Sequence, residues 1–144
     1  MLANQSPWQF YLQGDFTALN DQEKRGAILF FGDAGCVSCH TGPALNSMDF
    51  YALGLGNLEM GNYGVEVSDP SKPEHKGRGG FTGNAADMHK FKVPQLYNLK
   101  DSPFYGHGAT VHSIREMVEY KNNANPENPN VPYTRSVHNS IRWD

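Results

Sequence analysis

Apolar and polar positions along the chain set out three helical stretches, with a long aperiodic region between the second and the third. The first covers Ser6–Gln13, where Ser6 is placed to cap the N-terminus and Pro7 falls at the first helical position. Its aromatic residues Trp8, Phe10 and Tyr11 are expected to lie over other structure. The second is the clearest. Asn20 stands at the cap, Glu23 follows three residues on as a capping box requires, and Ala27, Ile28, Phe30 and Phe31 supply an apolar face. Gly32 and Gly35 then punctuate the chain. The third begins at Ser113 with Glu116 three residues later, and Ile114, Met117, Val118 and Lys121 recur at i, i+3, i+4 and i+7, so they share one face.

From Gly42 to about Phe91 the period dissolves among glycines and the turn pairs Asp69-Pro70 and Lys72-Pro73. The section between Asn62 and Gly83 reads as a mobile surface excursion. Order returns at Phe91–Leu99, where Pro94 is expected to open a short helix, and a tight turn follows over Pro103–Gly108. Past Asn122 the Asn/Pro-rich run reads as an extended tail, and 133–144 as one weak helix. The fold class expected is mainly α, with short helices joined by long Gly/Pro-rich loops.

Composition sharpens this. The 144 residues suit one domain over 1–144, but 15 glycines, 9 prolines and a mean hydropathy of −0.60 leave a modest apolar interior that a large prosthetic group would help complete. A formal charge of −3 gives no basic surplus, so nucleic acid is not expected as a partner. No apolar run approaches the roughly 20 residues that span a bilayer. The opening Met-Leu-Ala-Asn lacks the charged and apolar regions of an export leader, and the chain is read as a mature form.

The chemistry concentrates in Cys36-Val-Ser-Cys39-His40. Two thiols separated by two residues can each form a thioether with a haem vinyl group, and the next imidazole then lies beneath the iron. A thioredoxin-like pair would want a βαβ context, and no alternating strand precedes Cys36. A zinc knuckle would want a second ligand pair, whereas His75, His89, His107, His112 and His138 are scattered. Heme c, one per chain and covalent, is the cofactor expected.

The string from Lys24 to Pro43, the block Phe91–Leu99, the turn Pro103–His107 and the Ser113–Asn122 stretch together resemble the carboxy-terminal haem domain of the bacterial di-haem cytochrome c peroxidase and MauG family, over 6–132. The resemblance implies a cytochrome c-like fold. It also implies a division of labour in which an amino-terminal haem reacts with hydrogen peroxide while the carboxy-terminal one receives and relays electrons. One Cys-x-x-Cys-His motif matches the relay domain, with 133–144 either a tail or a truncated end where the family has a closing helix. An exported, periplasmic location and a redox partner protein or second haem domain follow from the same resemblance.

The resemblance further implies that the sixth iron ligand comes from the third helix, as Met or, in the MauG branch, Tyr. Aligned by its cap, that position here is Lys121, while Met117 lies one turn earlier on the same face with a softer sulfur. Met117 is otherwise core filling and Lys121 a solvated cation near a helix end, so both stay candidates, with Met60 and Met88 behind them. His107 is expected close to the haem without binding iron. His75, His89, His112 and His138 read as surface residues. Ser102 and Phe104 align with a turn that helps bind an interdomain calcium in the family, and with no partner domain calcium is not expected here. Electron transfer is favoured over autonomous peroxidase chemistry, because no separate Glu/His pair is placed to cleave an O–O bond.

Overall fold

The computed structural model describes residues 5–57, 69, 71–123 and 125–128. Met60, His138 and the 133–144 segment lie outside them.

Helix α1, Pro7–Leu12, starts where Ser6 accepts a hydrogen bond from the Gln9 amide. Helix α2, Asp21–Phe31, carries both halves of its capping box: the Asn20 side chain accepts from Glu23 N–H at 2.9 Å, and the Glu23 carboxylate accepts from Asn20 N–H at 2.8 Å. The two helices meet through aromatic rings. Trp8 stacks on Phe31 with centroids 5.2 Å apart, and Tyr11 meets Phe16 edge-on at 5.6 Å. The expected apolar face of α2 is only partly covered by described residues, with Ile28 72 % exposed. Ala27, Phe30 and Phe31 instead line a shallow depression of about 240 Å³ with Trp8 and Leu45.

Strand β1, Phe50–Tyr51, pairs antiparallel with β2, Phe91–Lys92, placing Phe50 opposite Lys92 and Tyr51 opposite Phe91. This pairing corrects the helix expected at Pro94. Buried Val93 donates to the Asp49 carbonyl at 3.1 Å, so the chain enters Pro94 extended, the conformation that a following proline favours. Beyond it, Tyr97 O–H donates to the Pro43 carbonyl, and the chain turns at Leu99–Asp101.

The expected surface excursion is also corrected where it is described. Residues Pro73–Lys76 form a 3₁₀ turn and Arg78–Thr82 a short helix, α3, which pack on each other so closely that a Cβ on Gly80 would lie 2.0 Å from the Pro73 carbonyl oxygen. His75, read as a surface residue, is 1 % exposed and the largest fully buried side chain among the described residues. Its Nδ1 lies 3.4 Å from His107 Nε2, and its carbonyl accepts from His89 Nδ1 at 3.2 Å. His89 is therefore half-buried as well, whereas His112 is exposed as expected.

Helix α4, Ile114–Asn123, has Ser113 Oγ accepting from Glu116 N–H at 3.1 Å. The Glu116 carboxylate reaches His112 N–H at 2.8 Å rather than the amide of Ser113, so the expected reciprocal box is displaced by one residue. Beyond α4 the chain folds back instead of trailing away. Asn128 N–H donates to the Gly54 carbonyl at 3.0 Å, and the Glu127 carboxylate accepts from Gly56 N–H at 2.7 Å and from Thr110 O–H at 2.7 and 2.8 Å. Gly54, at φ +63°, must be small, because a Cβ there would lie 2.5 Å from Pro126 Cβ. Among the described residues no helix is long and apolar enough to cross a membrane.

Candidate haem-binding site

The Cys36–His40 segment is presented by a tight turn. Helix α2 ends at Phe31, Gly35 adopts φ +64°, and Cys36–Ser38 form a 3₁₀ turn in which the Cys36 carbonyl accepts from both Cys39 N–H (3.1 Å) and His40 N–H (2.9 Å). Both cysteines are half-buried and neither is in a disulfide. Burial pushes the Cys36 thiol above its ordinary range, and its Sγ lies 3.8 Å from the Ala34 carbonyl. A thiol held protonated is the opposite of the activated thiolate that a dithiol redox catalyst needs.

His40 is oriented by the loop that follows it. Its Nδ1–H donates to the Leu45 carbonyl at 3.0 Å, the tautomer that leaves a lone pair on Nε2, where a metal would bind. Leu45 delivers that carbonyl from a left-handed backbone, φ +48°, at the end of a turn closed by its own N–H on Gly42 O at 3.0 Å. A branched residue in that region stores strain, a feature found where a side chain must be held in place. Burial is the main force holding the imidazole below its ordinary value, with the positive charge of Lys121 adding to it against the Leu45 and Pro94 carbonyls. The ring is therefore neutral near pH 7, as metal ligation requires.

Lys121 is near enough for its charge to act on Cys39 and His40. It is half-buried, and desolvation pushes its ammonium down to about 8, opposed by attraction to Cys39 and Glu127. The solvated end-of-helix cation expected by default is thus corrected: the Lys121 side chain is half-buried rather than surrounded by water. The described residues give its ammonium no carboxylate within ion-pair distance and no hydrogen bond, only the face of Tyr120 at 5.5 Å. Met117, one turn earlier, points to the Pro103–Gly108 turn, its Cε 3.6 Å from where a Cβ on Gly106 would stand. Met88 is committed elsewhere, with Sδ 2.7 Å from the Cβ position of Gly79.

His107 stacks on Phe91 with centroids 4.0 Å apart and meets His75 edge-on at 5.6 Å. It belongs to a cluster that ties the 73–76 turn to the 103–108 turn, and His75 is the member that sequence reasoning missed. Glu127 was missed too, since nothing local marks a carboxylate in an Asn/Pro-rich run as a clamp. In the 102–104 turn, the Phe104 carbonyl accepts from Ser102 Oγ at 2.6 Å. Among the described residues no three His, Cys, Asp or Glu side chains converge as a metal cluster.

These residues fit a haem held through two thioethers and one imidazole. The thiols are unbridged and share one turn, and the imidazole is neutral and anchored through its second nitrogen.

No family model matches the chain. It is 32 % identical over 134 residues to a cytochrome-c peroxidase of Pseudomonas sp. (strain SCT), covering 82 % of this chain and 35 % of that protein. It is 35 % identical over 114 residues to a cytochrome c551 peroxidase of Nitrosomonas europaea, covering 79 % and 31 %. A MauG-like protein associated with microbial copper homeostasis superimposes with a TM-score of 0.66 at 26 % identity, covering 89 % of this chain and 38 % of that one. The chain spans about a third of the length of the curated relatives it matches. With this fold and this turn, the chain is similar over most of its length to proteins named cytochrome c peroxidase and MauG.

Proposed function

We propose that this chain is a cytochrome c-like domain that carries one covalent heme c and transfers electrons, serving as the relay domain of a longer, di-haem peroxidase-like protein. The observation that carries this reading is the Cys36–His40 turn, with two unbridged thiols and a neutral imidazole whose Nδ1 is tied to the Leu45 carbonyl. Cys36 and Cys39 would each add S–H across a haem vinyl group, and His40 Nε2 would ligate the iron. The opposite ligand would come from α4, through Met117 or Lys121, with His107 near the haem edge. The haem supplies a centre that cycles between ferric and ferrous states. The protein sets its potential through axial ligation, burial and hydrogen bonding. Export to the periplasm, where such haems are attached, and a redox partner or second haem domain complete the proposal.

The names of the relatives favour a second reading, in which the domain takes part in peroxide reduction within a longer enzyme. The discriminating test mixes the haem-loaded, ferric chain with hydrogen peroxide and records the optical spectrum. Electron relay through a haem saturated by protein ligands leaves the spectrum unchanged, while the ferrous form reduces an added cytochrome. A rapid reaction of the ferric chain with peroxide would overturn the relay assignment.

A further inference from the structure

We propose that Tyr97 is a positioning residue for His40: its hydroxyl pins the turn that presents the Leu45 carbonyl to the imidazole, and so helps to set the potential of the haem iron. The proposal rests on the haem reading above and adds to it a residue outside the Cys36–His40 motif.

The contacts run in one line. His40 Nδ1–H donates to the Leu45 carbonyl at 3.0 Å. Leu45 presents that carbonyl from a left-handed backbone, φ +48°, which a leucine keeps only where the surrounding structure over-determines it. One constraint is internal to the turn, whose ends are closed by Leu45 N–H on the Gly42 carbonyl at 3.0 Å. Another comes from outside. Tyr97 O–H donates to the carbonyl of Pro43, within the same turn, and the phenol oxygen accepts from Gln9 Nε2 at 3.0 Å. Pro43 lies 54 residues from Tyr97 and Gln9 lies 88, so one hydroxyl joins α1, the turn and the segment after β2. That segment is itself held on both sides of the phenol. Val93 N–H donates to the Asp49 carbonyl at 3.1 Å before it, and Asn98 redirects the chain at φ +54° after it.

The consequence for the iron has a sign. A hydrogen bond from Nδ1–H to a carbonyl raises the basicity of the imidazole, and a more basic ligand favours ferric over ferrous iron. Fixing the Leu45 carbonyl therefore lowers the potential. Without the phenol hydroxyl the 42–45 turn loses its tie to Pro43, and the Leu45 carbonyl is less firmly held against Nδ1. A hydroxyl that served only to fasten α1 to the loop would affect stability and leave the iron as it was.

The test uses the haem-loaded chain, with attached haem verified by mass in every sample. It reads the midpoint potential and, by NMR of the ferrous form, the hydrogen–deuterium exchange of the His40 Nδ1 proton and the Leu45 amide. Tyr97→Phe should raise the potential and speed exchange at both sites about two- to tenfold, the range that loss of one ordinary hydrogen bond covers. Gln9→Leu should move all three readings the same way by less, and it carries the test if Tyr97→Phe takes up no haem. Asn20→Ala removes the cap of α2 at the end remote from the motif, and should lower the urea midpoint while potential and exchange stay as in wild type. An unchanged potential in Tyr97→Phe, or in Gln9→Leu where that variant carries the test, would overturn the proposal whatever happens to stability. So would a shift in Asn20→Ala as large as that in Tyr97→Phe. A wild-type chain that matures without a haem mass would instead overturn the haem reading on which the proposal rests.

Discussion

Gly108→Ala isolates the contact that holds the α4 side of the molecule to the loop after β1. Gly108 is seated on the backbone of Gly56 and Asn57. A Cβ there would stand 2.3 Å from Gly56 O, 2.4 Å from Asn57 O and 2.6 Å from Asn57 C. All three neighbours are backbone atoms, so no side-chain rotation relieves the clash, and the two loops must separate by several tenths of an ångström. Inserting a methyl group into tight packing costs about 1–3 kcal/mol, and the rigidity of these neighbours argues for the upper end. The smaller entropy of the unfolded alanine chain returns about 0.4–1 kcal/mol, leaving a net loss of about 2 kcal/mol. For a chain of this size that is a fall of roughly 4–8 °C in Tm. Thermal and urea unfolding of the haem-loaded protein should show it as a lower midpoint with an unchanged m-value. Gly26→Ala is the control. Gly26 lies within α2 with nothing within 4 Å of its Cβ position, so that change should stabilise by up to about 1 kcal/mol. Equal stability of Gly108→Ala and wild type would refute the close approach of these loops.

Three further outcomes follow from the geometry. His75→Ala should cost about 2–4 kcal/mol in urea unfolding, because it empties a fully buried site and removes a partner of His107, whereas a surface residue would shift stability by less than about 0.5 kcal/mol. Glu127→Gln should cost about 2 kcal/mol by the same assay, since a charged acceptor shared by Gly56 N–H and Thr110 O–H becomes an amide. In the haem-free chain Cys36 should alkylate more slowly at pH 8 than an unstructured cysteine, because burial raises its pKa and the thiolate forms only as pH climbs past the ordinary thiol range; peptide mapping that finds it faster would contradict its placement.

The parts of this structure that were legible in sequence are those written in neighbouring residues. Ser6, Asn20 and Glu23 cap their helices as read, because a cap joins groups three residues apart. The Cys36–His40 motif forms one turn for the same reason, and the blocks around it led to the family. Burial decided by distant segments was not legible. His75 sits among glycines with no period to mark it, and only its meeting with His107, 32 residues on, takes it from water. Pro94 looked like a helix start until Val93 was drawn into pairing beside β1. Lys121 stood out in sequence only as a helix-end cation, and its desolvation comes from burial that no neighbouring residue announces.

The central claim is that Cys36 and Cys39 carry a haem, and intact-mass measurement tests it most directly. The protein is produced in a host with c-type haem maturation, denatured and extracted with acidified solvent before weighing. A chain heavier by one haem, with the haem located by peptide mapping on Cys36 and Cys39 and lost from the Cys36→Ser, Cys39→Ser double variant, is the expected result. A chain at its unmodified mass, with both thiols free to alkylate after that maturation, would contradict the account.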